Sequence, residues 1–302
     1  MANFYHFQPS RFLTWWCVAA TILSWVSTVR AINFPATVDI DIVYPRNGTF
    51  APEVLTPIVF TVRNPQLAAP LDLNLRWEIY RNDRPFNDGP WSVGTKRLIW
   101  ATNPNATDPF YVYGYTDKLN VEAPWWLRWK LSWGNCSQSD DPNQEPGVAS
   151  DVSFSHVRNI VEFTTKNGST QLDLATVNRP GDDTCGNVTD TRVTFNVTGV
   201  LDTPRPYQYD DLDTCAVLAP PSNITTPPPT KTCGPEIDAS AASSILAGIT
   251  ATACANLPGP DVSCPPDKPS SAIRSIGGPF LAGTATWLKI FMSASVAYIV
   301  FA

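Results

Sequence analysis

Leu71–Ile79, LDLNLRWEI, decides the fold. Leu71, Leu73, Leu75, Trp77 and Ile79 fall on one side of a period-two alternation, with Asp72, Asn74, Arg76 and Glu78 on the other. That pattern describes a strand with one buried and one solvated face, because successive side chains on a strand point to opposite sides of the sheet. A helix would instead need apolar residues three and four apart. The alternation returns at Leu127–Trp133, where Leu127, Trp129, Leu131 and Trp133 oppose Arg128, Lys130 and Ser132. It returns again at Thr37–Tyr44, Pro57–Val62 and Arg192–Thr198; Trp91–Trp100, Pro109–Tyr115, Val157–Thr165 and Leu172–Val177 are less regular candidates. Pro45-Arg46-Asn47-Gly48 and Lys166-Asn167-Gly168-Ser169 carry turn chemistry between them. Eight or nine short strands, with no convincing helix before position 200, predict an all-β protein: an antiparallel β-sandwich over residues 32–215. It is immunoglobulin-like in type, with a jelly roll as the second reading.

Outward from the sandwich the composition changes. At the N-terminus, Phe12–Val26 is apolar and Val29-Arg30-Ala31 has the small-residue spacing of a cleavage site, so residues 1–31 read as a secretory signal peptide. Past the strands, residues 216–232 (AVLAPPSNITTPPPTKT) are rich in Pro and Thr and predict a stiff linker. Residues 233–272 follow as a small module held by disulfides, with Ile237, Ala241, Ile245 and Ile249 at helical spacing. The chain closes on the apolar run 280–302, preceded by Ser270-Ser271-Ala272 and a short spacer. This arrangement over 273–302 predicts a glycosylphosphatidylinositol signal with lipid attachment at Ser270 or Ser271, or otherwise a single membrane span. Lys289 interrupts the tail.

The formal net charge is −6, from 21 basic and 27 acidic residues. Residues 32–272 hold all 27 acids and 17 of the bases, a net charge of about −10. Such a surface argues against nucleic acid as a partner, since binding it needs clustered Lys and Arg. Once Cys17 leaves with the signal peptide, six cysteines remain: Cys136, Cys185, Cys215, Cys233, Cys254 and Cys264. An even number in a secreted chain predicts three disulfides. Six cysteines allow 15 pairings; clustering suggests two bridges among Cys215, Cys233, Cys254 and Cys264, leaving Cys136–Cys185 as the third. Acceptor sequons for N-glycans occur at Asn47, Asn105, Asn135, Asn167, Asn187, Asn196 and Asn223.

The segment following the signal peptide, INFPATVDIDIVYPRNGTFAP, and the PIVFTVRNP after it resemble a secreted or cell-surface domain of unknown function found widely in ascomycete fungi. The resemblance covers roughly Ile32–Cys215, with Tyr44 in the aromatic place before Pro45. It implies a signal peptide, many sequons and a Ser/Thr-rich or lipid-anchored C-terminus, and it carries over no catalytic residue.

Chemistry is sparse. His156 is the one histidine beyond the signal peptide, which leaves no His-rich metal site, and no G-x-S-x-G elbow accompanies it. Carboxylates on strands (Glu78, Glu162, Asp39, Asp41) could serve a glycosidase. The acidic turns at Asp140-Asp141, Asp182-Asp183 and Asp210-Asp211-x-Asp213 could hold calcium, although solvated acids explain both sets. No cofactor is expected. Tryptophan is the most suggestive feature. Trp77, Trp129 and Trp133 share apolar strand faces, and Trp125 is inward if Trp129 is. Trp126 is then outward, beside Arg128 and Lys130, free to stack on a sugar or seat a protein. These observations predict a non-enzymatic cell-surface or wall glycoprotein with a structural, adhesive, or glycan- or protein-binding role. Its expected partners are a wall glycan or surface protein, and the membrane through the C-terminal anchor or span. An extracellular carboxylate-based carbohydrate-active enzyme and a secreted effector-like binding protein are the alternatives.

Overall fold

A computed structural model describes residues 32–98, 106–139, 143, 145–177, 191–205, 213–220, 236–256 and 262–264. Ten strands and one α-helix follow one another as β1 (Ala36–Tyr44), β2 (Thr49–Phe50), β3 (Thr56–Val62), β4 (Asn74–Arg81), β5 (Ser92–Arg97), β6 (Phe110–Thr116), β7 (Ala123–Ser137), β8 (Asp151–Thr165), β9 (Val193–Asp202), β10 (Thr214–Leu218) and α1 (Ala239–Ala255). The strands form two five-stranded sheets, the first ordered β10-β9-β1-β3-β6 and the second β2-β8-β7-β4-β5. Every pairing is antiparallel except the two-residue β2–β8 contact. The predicted sandwich is therefore the observed architecture.

The alternation read from the sequence is the alternation that packs. Ile40, Ile42, Ile58, Phe60 and Val62 from the first sheet meet Leu75, Trp77, Ile79, Leu127, Trp129 and Leu131 from the second, and the two sets form one core cluster. Phe60 sits at the centre, its ring 5.5 Å from that of Trp129 and 6.0 Å from that of Trp77. Trp77 fits because its cross-strand partner is Gly94 and the facing sheet offers Gly114. A Cβ at these two positions would lie 2.1 Å and 2.6 Å from the indole, so only glycine leaves room for the ring.

Four expectations need correction. Cys136 bonds to Cys215, joining β7 to β10 and so one sheet to the other, in place of Cys136–Cys185. Sequence proximity misleads here because strand order brings together residues 79 apart. The second described bridge, Cys254–Cys264, pins the end of α1; Cys185 and Cys233 lie outside the described residues. Leu172–Val177 is a turn-rich segment without ladder partners, yet Leu174 is fully buried. Its apolar residues cover a sheet instead of extending one. Leu71–Leu73 precedes β4 as a tight turn in which Asp72 adopts φ 44°, and its leucines still reach the core. Finally, β10 continues through Leu218, taking in the first three residues of the expected linker, with Ala216 buried.

The helix begins at Asp238, whose carboxylate accepts from the Ala241 amide at 2.7 Å as an N-cap. It buries Ala242, Ile245, Ile249 and Ala253. Ile245 and Ile249 join Val43, Tyr44, Val59 and Leu174 in a second apolar cluster, flanked by Tyr111, Tyr113 and Tyr115. α1 thus roofs the outer face of the first sheet.

The expectation of the membrane as a partner through a single span is withdrawn. Among the described residues no helix is long and apolar enough to cross a membrane. The segment 273–302 on which that expectation rested, with Ser270 and Ser271, lies outside them, as do the signal segment and most of the linker.

Candidate functional site

Among the described residues no α-helix packs on the outer face of the second sheet, and Trp126 lies on it. Register does the placing. On β7, Trp125, Leu127, Trp129 and Leu131 are buried, while Trp126, Arg128 and Lys130 alternate outward and remain partly exposed. Trp126 pairs with Tyr80 on β4 and Glu162 on β8, and Arg128 with Glu78 and Ile160. Directly opposed residues on a sheet have Cβ atoms roughly 5 Å apart, so these side chains form a contiguous surface. The Trp126 indole Nε1 donates to Glu162 Oε1 at 3.0 Å, which fixes the ring while leaving its faces free of hydrogen bonds.

Beside it lies a knot of charge and aromatic surface. Arg76 donates to Glu78 Oε1 through Nε and Nη2, at 3.1 and 2.9 Å. Arg128 donates to Glu78 Oε2 through both Nε and Nη2, and its Nη2 also reaches the Tyr80 hydroxyl at 2.8 Å. The Tyr80 hydroxyl in turn donates to Glu78 Oε2 at 3.0 Å. Phe86 stacks on Tyr80 with ring centroids 4.3 Å apart, and the Arg128 guanidinium stands 5.1 Å from each of the two ring centres. Burial alone would push the Glu78 carboxyl up; donation from Arg128, Arg76 and Tyr80 outweighs it and holds the group below the usual carboxylate range. Burial, then Glu78, pushes the Tyr80 phenol up. Phe86 at 49 % and Ile160 at 56 % exposure complete an apolar surface set among fixed polar groups.

The remaining candidates separate clearly. Trp125 is buried, donating through Nε1 to Thr165 Oγ1 at 2.7 Å; Trp129 is buried in the core and Trp133 packs edge-on to Phe195. Asp41 is buried, accepting from Arg46 and from the Thr191 hydroxyl, each at 3.0 Å, and Asp39 accepts from Thr194 at 2.7 Å. Both are structural in this setting. Glu78 and Glu162 do share one face, but an ionised Glu78 clamped by two guanidiniums has no proton to give as a general acid. His156 is exposed; slight desolvation, then the positive Lys130 and Arg158, push its imidazole down. Asp140, Asp141, Asp182, Asp183, Asp210 and Asp211 lie outside the described residues. Among the described residues no group of three His, Cys, Asp or Glu could hold a metal ion.

Of the sequon residues, Asn47 and Asn167 are exposed and Asn196 half-buried. The Asn135 side-chain oxygen accepts from the Leu218 amide at 2.9 Å, which ties that residue to β10. Asn105, Asn187 and Asn223 lie outside the described residues. Sequence reading placed Arg128 and Lys130 beside Trp126 but missed Tyr80, Phe86 and Glu162 as its neighbours. Each sits on a different segment, and only the β4–β7–β8 register unites them. The available signal was the polar half of the same alternation that revealed the core.

Fold and face together define a two-sheet β-sandwich domain with a helix packed on the outer face of one sheet. The family described as "Domain of unknown function (DUF7136)" matches residues 33–264, and the chain belongs to it. The match extends well past the Ile32–Cys215 span of the resemblance and takes in α1 and the Cys254–Cys264 bridge. No curated protein and no solved structure matches the chain.

Proposed function

We propose that this domain is an extracellular glycan-binding module acting by contact, its binding surface the outer face of β4, β7 and β8. The observation that carries the reading is Trp126: partly exposed, oriented by Glu162, and on the same outer face as the exposed Phe86 and Ile160, with Tyr80 buried against Phe86 and Arg128 beside it. The C–H face of a pyranose carries partial positive charge and suits the negative face of an aromatic ring. The surrounding carboxylates and guanidiniums supply acceptors and donors for its hydroxyls. Because Glu78, Arg76 and Arg128 already restrain one another, little side-chain entropy is lost when a ligand arrives. An extracellular setting is supported by the two disulfides, which persist in oxidising compartments, and by the exposed Asn47 and Asn167.

A glycan array with the enzymatically deglycosylated full chain tests this reading against Trp126→Ala. The wild-type protein is expected to retain at least one polysaccharide, and the variant to bind it at least about tenfold more weakly, the scale of losing one stacking platform. Equal retention by the two proteins would remove the proposal.

A further inference from the structure

At the edge where β5 and β6 face each other, the two sheets and α1 enclose a cleft of about 590 Å³. Residues 94–96 of β5 and 110–115 of β6 all line it. Because consecutive residues contribute, the cleft runs along the strand edges and not over one face. β5 pairs with β4 and β6 with β3, each at the end of its sheet, so the cleft lies along two sheet edges. Trp77, Phe110, Tyr113 and Ile249 supply ring and aliphatic wall. The one ionisable group of ordinary physiological charge on the lining is Lys96. The lining holds no carboxylate, in a chain with 27 acidic residues. Lys96 is solvent-exposed and has no ion-pair partner among the described residues. In the wall, the Trp77 indole Nε1 is buried without an acceptor among the described residues, so its N–H dipole adds partial positive charge there.

We propose that this cleft is a second binding site, for a small ring-bearing organic anion such as an aromatic carboxylate or sulfonate. The planar ring lies against the aromatic wall, and the acid group faces Lys96. Volume agrees, since drug-sized ligands occupy pockets of ~300–1,000 Å³. The site lies at the β5–β6 edge, whereas the glycan surface is the outer face of β4, β7 and β8, so the two readings stand or fall separately.

The test is fluorescence titration of the full folded chain with 8-anilinonaphthalene-1-sulfonate, set against its uncharged analogue N-phenyl-1-naphthylamine. The sulfonate is expected to bind at one site per chain and more tightly than the neutral dye. Lys96→Glu reverses the one charge at the mouth and should weaken the sulfonate about tenfold or more while leaving the neutral dye within about twofold. Thr252→Trp, an exposed position on α1 that lines the cleft, should fill it and abolish both. Trp126→Ala should alter neither. Each variant is first matched to wild type in thermal melt, so that dye binding to unfolded chain does not intrude. No binding, equal affinity for the two dyes, or sulfonate binding indifferent to Lys96→Glu would overturn the proposal.

Discussion

The outer faces of the two sheets carry similar aromatic material and meet different fates. On the first sheet, Tyr44, Tyr111, Tyr113 and Tyr115 lie under α1 and the Leu172–Val177 segment, where they form part of a second core. Burial, then Glu53, pushes the Tyr44 phenol far above its ordinary value, and the Tyr111 hydroxyl donates to the Glu236 carbonyl at 3.1 Å. On the second sheet Trp126 meets the Glu162 carboxylate, and Tyr80, buried against Phe86, meets the Arg128 guanidinium and the Glu78 carboxylate. The difference teaches that exposed aromatic surface must be read against what covers it. Tyrosine on the first sheet stabilises the fold, whereas tryptophan on the second remains available.

Four measurements can break or sharpen that contrast. Removing the Cys136–Cys215 bridge by a double Ala substitution should cost most, about 4–5 kcal/mol by loop-closure entropy for a 79-residue separation. It should loosen both faces alike, and a denaturant midpoint shift below about 1 kcal/mol would mean that core packing alone holds the sheets together. Next, Ile245→Ala empties a buried position under the roof and should cost about 2–4 kcal/mol, with faster hydrogen exchange confined to 239–255 and the first-sheet tyrosines. If exchange rises equally around Trp126, the faces are not independent. Glu78→Gln should cost about 1 kcal/mol at neutral pH, since its charge-assisted bonds are partly solvated. Because the Glu78 carboxyl sits below its unfolded value, its stabilisation is full above roughly pH 4.3 and is lost as pH falls through the folded pKa. The gap between wild type and variant should close in acid, and a gap constant from pH 7 to pH 2 would refute the clamp. Smallest is Trp126→Ala, expected to shift stability by about 1 kcal/mol or less while removing glycan retention. A loss of several kcal/mol would make Trp126 a packing residue like the tyrosines opposite.

Much of this was legible in one pattern. The alternation at Leu75–Ile79 and Leu127–Trp133 marks strand, core face and outer face together, because period two leaves a residue only two places to point. Trp126 followed by parity from Trp129, and α1 from the spacing of Ile237, Ile245 and Ile249. What could not be read depended on long-range pairing. The Cys136–Cys215 bond follows from β10 lying against the end of β7, which no local spacing encodes. Leu172–Val177 has a strand's residues but no ladder to join, and tertiary burial of Leu174 decides its form. Gly94 and Gly114 look like ordinary glycines until the Trp77 ring is seen between them.

By itself, then, the sequence determined the period, the sign of each face, the helix and the supply of cysteines, because these depend on neighbours along the chain. Only the tertiary structure decided which aromatic face α1 packs on, which cysteines meet, and that Trp126, Glu78, Tyr80 and Arg128 share one sheet face. Those outcomes depend on strand order and cross-strand register, where residues dozens of positions apart come within a few ångströms and the free energy of burial selects among pairings that local propensity leaves open.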